Sequence, residues 1–177
     1  CYLTVAVDGV FIYGIPPYIA ALLEERGAGG VREAGFVVAG IGLGGLIFNL
    51  VLPGLLRRTS RASVMRLGGC VIAAGMVVVA LGATWPMEMA GFTAIGLGFY
   101  MLHTGIQTEA TELAPDARGS AVALHAFSLF FGMALGPLFY GFAIPRIGAS
   151  TAIIVGGVLV MAAAFVMASQ VARRRAP

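Results

Sequence analysis

Charge is scarce in this sequence. Only 11% of its 177 residues are Asp, Glu, Lys or Arg, where an ordinary soluble domain carries about 25%. Lysine is absent altogether, so all 11 basic residues are arginine. So little charge cannot cover a water-facing surface, and a mean hydropathy of +0.96 points to lipid touching most of the outside. The arginines sit between apolar runs and at the C-terminus instead of forming one basic face, which excludes nucleic acid as a partner. Cysteine is nearly absent too. Cys1 and Cys70 give neither a disulfide framework nor a metal-ligand spacing, and Cys70, inside an apolar run, reads as a small packing residue. No His-x-x-x-His, Gly-x-Ser-x-Gly or phosphate-loop pattern occurs. The expectation is therefore a protein that is not an enzyme and needs no metal or cofactor. No methionine opens the chain, which enters an apolar run at once, so a fragment lacking its beginning is expected in place of a signal peptide.

Long apolar runs, by contrast, are abundant. A spanning helix needs about 20 mostly apolar residues, and six runs qualify, near 2–23, 35–56, 67–84, 87–108, 120–144 and 148–171. Backbone polar groups in lipid must be satisfied within each segment, and the runs are about twice the length of a barrel strand, so strands are excluded. The fold class expected is an all-α membrane protein with one transmembrane domain over 1–177. Glycine, with 26 residues, is costly in a soluble helix but lets membrane helices approach closely. Gly40/Gly44 and Gly132/Gly136 form Gly-x-x-x-Gly pairs, and Gly91, Gly98 and Gly105 recur every seven residues along one helix face.

The connections are short and polar. Asp116 is placed to cap the fifth helix. Loops two and four and the C-terminus hold Arg57, Arg58, Arg61, Arg66, Arg118, Arg173, Arg174 and Arg175; the other loops hold Arg26, Arg32 and Arg146. Eight against three places the arginine-rich side, and with it both ends, in the cytoplasm of a cell (inner) membrane protein.

Polar side chains inside the spans are few: Asp8, Asn49, His103, Gln107 and His125. Ionisable groups at membrane depth usually face a bundle interior or a wet cavity. The third and sixth helices have none and read as lipid-facing supports. At a rise of about 1.5 Å per residue, Asp8 lies roughly 9 Å, and His103 and His125 roughly 8 Å, from the inner ends of their helices. His103, Gln107 and Tyr100 share a stripe opposite the glycine face of the fourth helix. Asp8 is the candidate for taking up and releasing a proton, since a carboxylate shielded from water can hold one and release it when its surroundings become wet. Tyr13, Asn49, Tyr100, His103, Gln107 and His125 are the candidates for lining a substrate cavity. Each has a plainer reading: Asp8 as a snorkelling or capping residue, the others as interhelical hydrogen bonds or interfacial groups. Two histidines on separate helices leave metal binding only as a remote alternative. Pro16-Pro17 breaks the first helix toward its outer end, as a gating kink or a simple terminus. Trp85 belongs to the interfacial aromatic belt.

The fourth connection reads Thr111-Glu112-Leu113-Ala114-Pro115-Asp116-Ala117-Arg118-Gly119-Ser120, and the following helix carries Gly132-x-x-x-Gly136-Pro137-x-x-x-Gly141. Both resemble the loop and eleventh helix of major facilitator superfamily transporters. The loop across 53–66 resembles a degenerate second copy of that family's cytoplasmic Gly-x-x-x-Asp-Arg-x-Gly-Arg signature, with the acidic position lost and Ser60 where glycine would stand. The resemblance spans the chain and implies a 3+3 inverted repeat, helices seven to twelve of twelve. It implies a small substrate bound between two halves that rock, with the first and fourth helices here lining the cavity. It also implies roles in conformational change or packing for Arg58, Arg61, Arg118, Gly132, Gly136 and Pro137. The expected partners are the lipid bilayer, a small-molecule substrate, protons, and a missing N-terminal half or a second copy. The expected function is proton-coupled efflux of drugs or small metabolites; the alternative is a non-transporting sensor or assembly protein on the same fold, with a membrane-embedded enzyme a distant third.

Overall fold

The computed structural model describes residues 1–174, apart from the side chains at 52, 53 and 56–58. Those residues form seven α-helices and no strand. They are α1 (Tyr2–Tyr13), α2 (Ile19–Glu25), α3 (Val31–Arg58), α4 (Arg61–Leu81), α5 (Trp85–Leu113), α6 (Arg118–Ile147) and α7 (Ala149–Arg174). A 3₁₀ turn over Pro16–Tyr18 joins α1 to α2, so the first crossing, Tyr2–Glu25, is one broken helix and the segments long and apolar enough to cross a membrane number six. The break falls at Pro16-Pro17, where two missing N–H groups and ring sterics interrupt the α-ladder. It leaves carbonyls at the end of α1 short of intrahelical donors. Tyr140 donates its hydroxyl to the Phe11 carbonyl at 3.0 Å, and Tyr18 donates to the Pro137 carbonyl at 2.6 Å. Both bonds tie the first crossing to α6.

Several helices run past their apolar cores into polar flanks. α3 starts at Val31, where the Glu33 carboxylate accepts from the Gly30 N–H at 2.9 Å. α4 starts at Arg61 because Ser60 caps it, accepting from the Ser63 N–H at 3.2 Å. Asp116 does not cap α6: it lies in a 3₁₀ turn over Pro115–Ala117, and the cap residue is Ala117 without a side-chain bond. Proline at the head of that turn opens a separate short turn, which puts Asp116 one residue too early.

Packing repeats between the halves of the chain. α3 lies along α5, and α6 lies along α1. Since α1 and α5 open the two three-helix sets, these are equivalent contacts of a 3+3 repeat. Both are glycine-mediated. A Cβ added at Gly40 would meet the Met89 carbonyl of α5 at 2.7 Å, and one added at Gly44 would meet the Thr93 carbonyl. Likewise Gly132 lies against Ala6 and Gly9, and Gly136 against Val10 and Gly14. α4 packs against α5 on one side and α7 on the other; the Gly91–Gly98–Gly105 face of α5 is where α4 enters, against Gly75, Gly68 and Met65. The core centres on Ile12, Ile72, Met76, Phe92, Ile95, Leu102, Tyr140 and Val160. Most of what α4 and α7 expose at mid-span is apolar, including Leu67, Val77, Val155 and Val166. α3 and α6 are the least enclosed: Leu46 and Leu50 on α3, and Phe127, Phe130 and Leu138 on α6, are each more than 60% exposed.

Candidate functional site

Asp8 sits on the buried stripe of α1 with Val5 and Ile12 and is 0% exposed. The open side of that helix, marked by Leu3, is elsewhere. Neither carboxylate oxygen has a hydrogen-bond partner. An ionised carboxylate in that setting lacks both water and donors, an arrangement that costs several kcal/mol.

α5 carries the polar stripe. Tyr100 is 37% exposed, His103 is half-buried and Gln107 is exposed. Aromatic rings connect the stripe to its neighbours. Tyr13 of α1 meets Phe99 edge-on at 5.4 Å, Phe99 stacks on His103 at 4.5 Å, and Phe48 of α3 stacks on Tyr100 at 6.1 Å. His125 of α6 comes directly onto this chain of rings: its Nε2 lies 2.6 Å from His103 Nε2, with ring centroids 4.3 Å apart. The structure therefore gathers Tyr13, Tyr100, His103 and His125 into one aromatic cluster where α1, α5 and α6 meet. Gln107 lies one turn farther along α5. Asn49 is exposed on α3 and donates to its own helix, at the Gly45 carbonyl, 2.9 Å away. Among the described residues no group of three or more His, Cys, Asp or Glu side chains is arranged to hold a metal.

Two ionic clamps, one at each end of the bundle, were not read from the sequence. At the end where α2 meets α3, Arg26 reaches Glu88 of α5 at 2.6 Å. It also donates to the carbonyls of Val79, Gly82 and Ala80 at 3.0 to 3.2 Å, which closes the C-terminus of α4 with a cation. Glu88 is wholly buried, and its position three residues into the run after Trp85 was the available signal. At the opposite end, Arg61 binds Glu112 through both terminal guanidinium nitrogens, at 2.9 and 3.1 Å, and lies 3.7 Å from Glu109. Arg174 lies 3.8 Å from Glu109. This clamp fastens the start of α4 to the ends of α5 and α7. Arg118 is exposed at the first position of α6. Arg58 lies outside the residues whose side chains are described. A cavity of about 130 Å³ beside the second clamp is lined by Phe48, Arg61, Val64, Met101, Thr104 and Thr108; among the candidate substrate residues, none borders it.

The whole chain, residues 1–177, matches the family model of the Major Facilitator Superfamily. This chain belongs to that superfamily. It is also 31% identical over 97 residues to a protein of Sinorhizobium fredii (strain NBRC 101917 / NGR234) called "Uncharacterized transporter y4wD". The aligned stretch covers 54% of this chain and 26% of that protein, so the chain spans well under two thirds of its relative. Six membrane-length helices in the paired arrangement above make this superfamily member a multi-pass membrane protein.

Proposed function

We propose that this chain forms one half of a secondary transporter that moves a small molecule across the cell (inner) membrane in exchange for protons, in the direction of efflux. The observation that carries the coupling is Asp8, a carboxyl wholly enclosed by the bundle with no donor to either oxygen. Such a group is stable without charge and becomes an ion only when a rearrangement admits water. That is the alternation a proton-driven carrier needs. The substrate path runs along the Tyr100–His103–Gln107 stripe, with Tyr13, Asn49 and His125 at its borders. Aromatic faces and neutral hydrogen-bonding groups dominate this stripe, which suits drug-like or small-metabolite substrates with apolar bodies. The second wall of the path belongs to an N-terminal half or to a second copy, set against the aromatic face of α6 and the leucine face of α3. Both ends of the chain lie in the cytoplasm, by the arginine distribution. The clamp at Arg61 would tighten and loosen as the halves rock.

The test is efflux of lipophilic fluorescent dyes from cells, and proton-driven flux in proteoliposomes, with the complete protein. Asp8→Asn is expected to abolish gradient-driven flux while leaving expression and membrane insertion intact. Proton coupling that survives in this variant removes Asp8 from the mechanism. Loss of all flux signals in the unaltered protein, across a panel of dyes and metabolites, favours the non-transporting reading.

A further inference from the structure

The contact between His103 and His125 is more specific than a shared cavity wall requires. Two neutral imidazoles whose Nε2 atoms lie 2.6 Å apart must adopt opposite tautomers: one Nε2–H donates, the other Nε2 accepts. Each ring then has its Nδ1 turned away, and both Nδ1 atoms are buried without a partner. One added proton enters at the Nδ1 of the donating ring and leaves the contact in place, because an imidazolium donating to an imidazole is a charge-assisted bond and the stronger form. A second proton removes the last lone pair between the rings. It leaves two donors, and two like charges, with ring centroids at the present 4.3 Å. The pair therefore accommodates no second proton without moving apart.

The position of the pair gives that separation a consequence. His103 belongs to α5 and His125 to α6, 22 residues apart in sequence. Among the described residues it is the hydrogen bond that crosses directly from α5 to α6; Tyr18 and Tyr140 tie α6 to the first crossing instead. Tyr13 of α1 and Tyr100 of α5 reach the pair through Phe99, and α1 also carries Asp8. Farther along α5 stands Glu109. On α6 the nearest charged residue is Arg118, seven positions before His125. α3 between Glu33 and Arg57, and α7 before Arg173, carry no ionisable side chain. The ion pairs of the two clamps, Arg26–Glu88 and Arg61 and Arg174 with Glu109 and Glu112, do not include either ring.

We propose that His103 and His125 are a second proton-binding site, separate from Asp8, which takes up one proton with the Nε2–H···Nε2 bond intact while α5 and α6 are together and a second only as they part. This rests on the pair's geometry and stands whether or not Asp8 couples transport.

The test is an NMR titration of the protein in lipid nanodiscs with ¹⁵N-labelled histidine. The expected result is a first step reported at Nδ1, as one ring gains its second N–H while the Nε2 contact persists, followed by a distinct second step at lower pH in which the accepting Nε2 gains a proton. His103→Gln should leave His125 with one step, and His125→Gln should leave His103 with one. Independent single steps in the unaltered protein, each insensitive to replacement of the other histidine, overturn the proposal, as does a co-purifying metal bound to both Nε2 atoms. A second readout needs no histidine variant. Nitroxide labels at Thr104→Cys and Val122→Cys, with Cys1→Ser and Cys70→Ala, report the α5–α6 separation. It should lengthen across the second step and stay fixed across the first. A separation constant over both steps contradicts the release of the helices. Asp8→Asn should leave the histidine titration in two steps, which distinguishes failure of this proposal from failure of Asp8 as the coupling group.

Discussion

Arg26 and Glu88 show how much one side chain holds in place. Glu88 is wholly buried, and the guanidinium that neutralises it also satisfies three carbonyls near the C-terminus of α4. Removing one partner of such a pair strands the other, at a cost of about 3 to 5 kcal/mol. Arg26→Ala should therefore lower the thermal unfolding temperature in detergent markedly. Glu88→Gln combined with Arg26→Gln should recover part of the loss, because no buried charge remains. Equal losses in the single and double variants would show that the pair is not the source. The two histidines stood out in the sequence as polar residues in apolar runs; their direct contact did not, because it depends on the rotational phase and crossing of two helices separated by a turn. Asp8 stood out in the same way. Its placement on the closed stripe of α1, away from the open side, follows from the position of α6, whose contacts with Gly9 and Gly14 fix which side of α1 is covered.

Individual helices were legible from hydropathy because lipid demands length and apolarity. Their ends were not, since the ends are set by local chemistry: Ser60 capping α4, Glu33 bonding back to Gly30, and Pro115 opening a turn of its own. The glycine pairs signalled close contact, but the identity of each partner emerged only from the fold. α3 offers an internal comparison. Gly44 faces the backbone of α5 at Thr93 and Leu97, whereas Gly42, two residues away, has open space around it. Gly44→Ala should destabilise the protein by about 1 to 3 kcal/mol through overpacking. Gly42→Ala should be neutral, or stabilising by up to about 1 kcal/mol, because alanine is the better helix former. Unfolding of both variants by a graded denaturing detergent measures the difference; equal effects would rule out backbone contact as the reason for glycine at position 44.

At the scale of the whole molecule, the arginine distribution leads to a prediction of orientation. In inverted membrane vesicles, Ser60→Cys should react with a membrane-impermeant maleimide, while Ala83→Cys should react only in intact cells; native Cys1 and Cys70 are replaced in both. The reverse pattern would invert the proposed topology. A further feature is the duplicated use of glycine between α1 and α6 and between α3 and α5. Where backbones touch, no rotamer can swing aside and no side chain can slide, so each pair behaves as a stiff plank. The seams between planks, such as the histidine contact of α5 with α6, are held by side chains that can let go. Flexing of this bundle should therefore concentrate at its seams, and heating should open them before either plank splits.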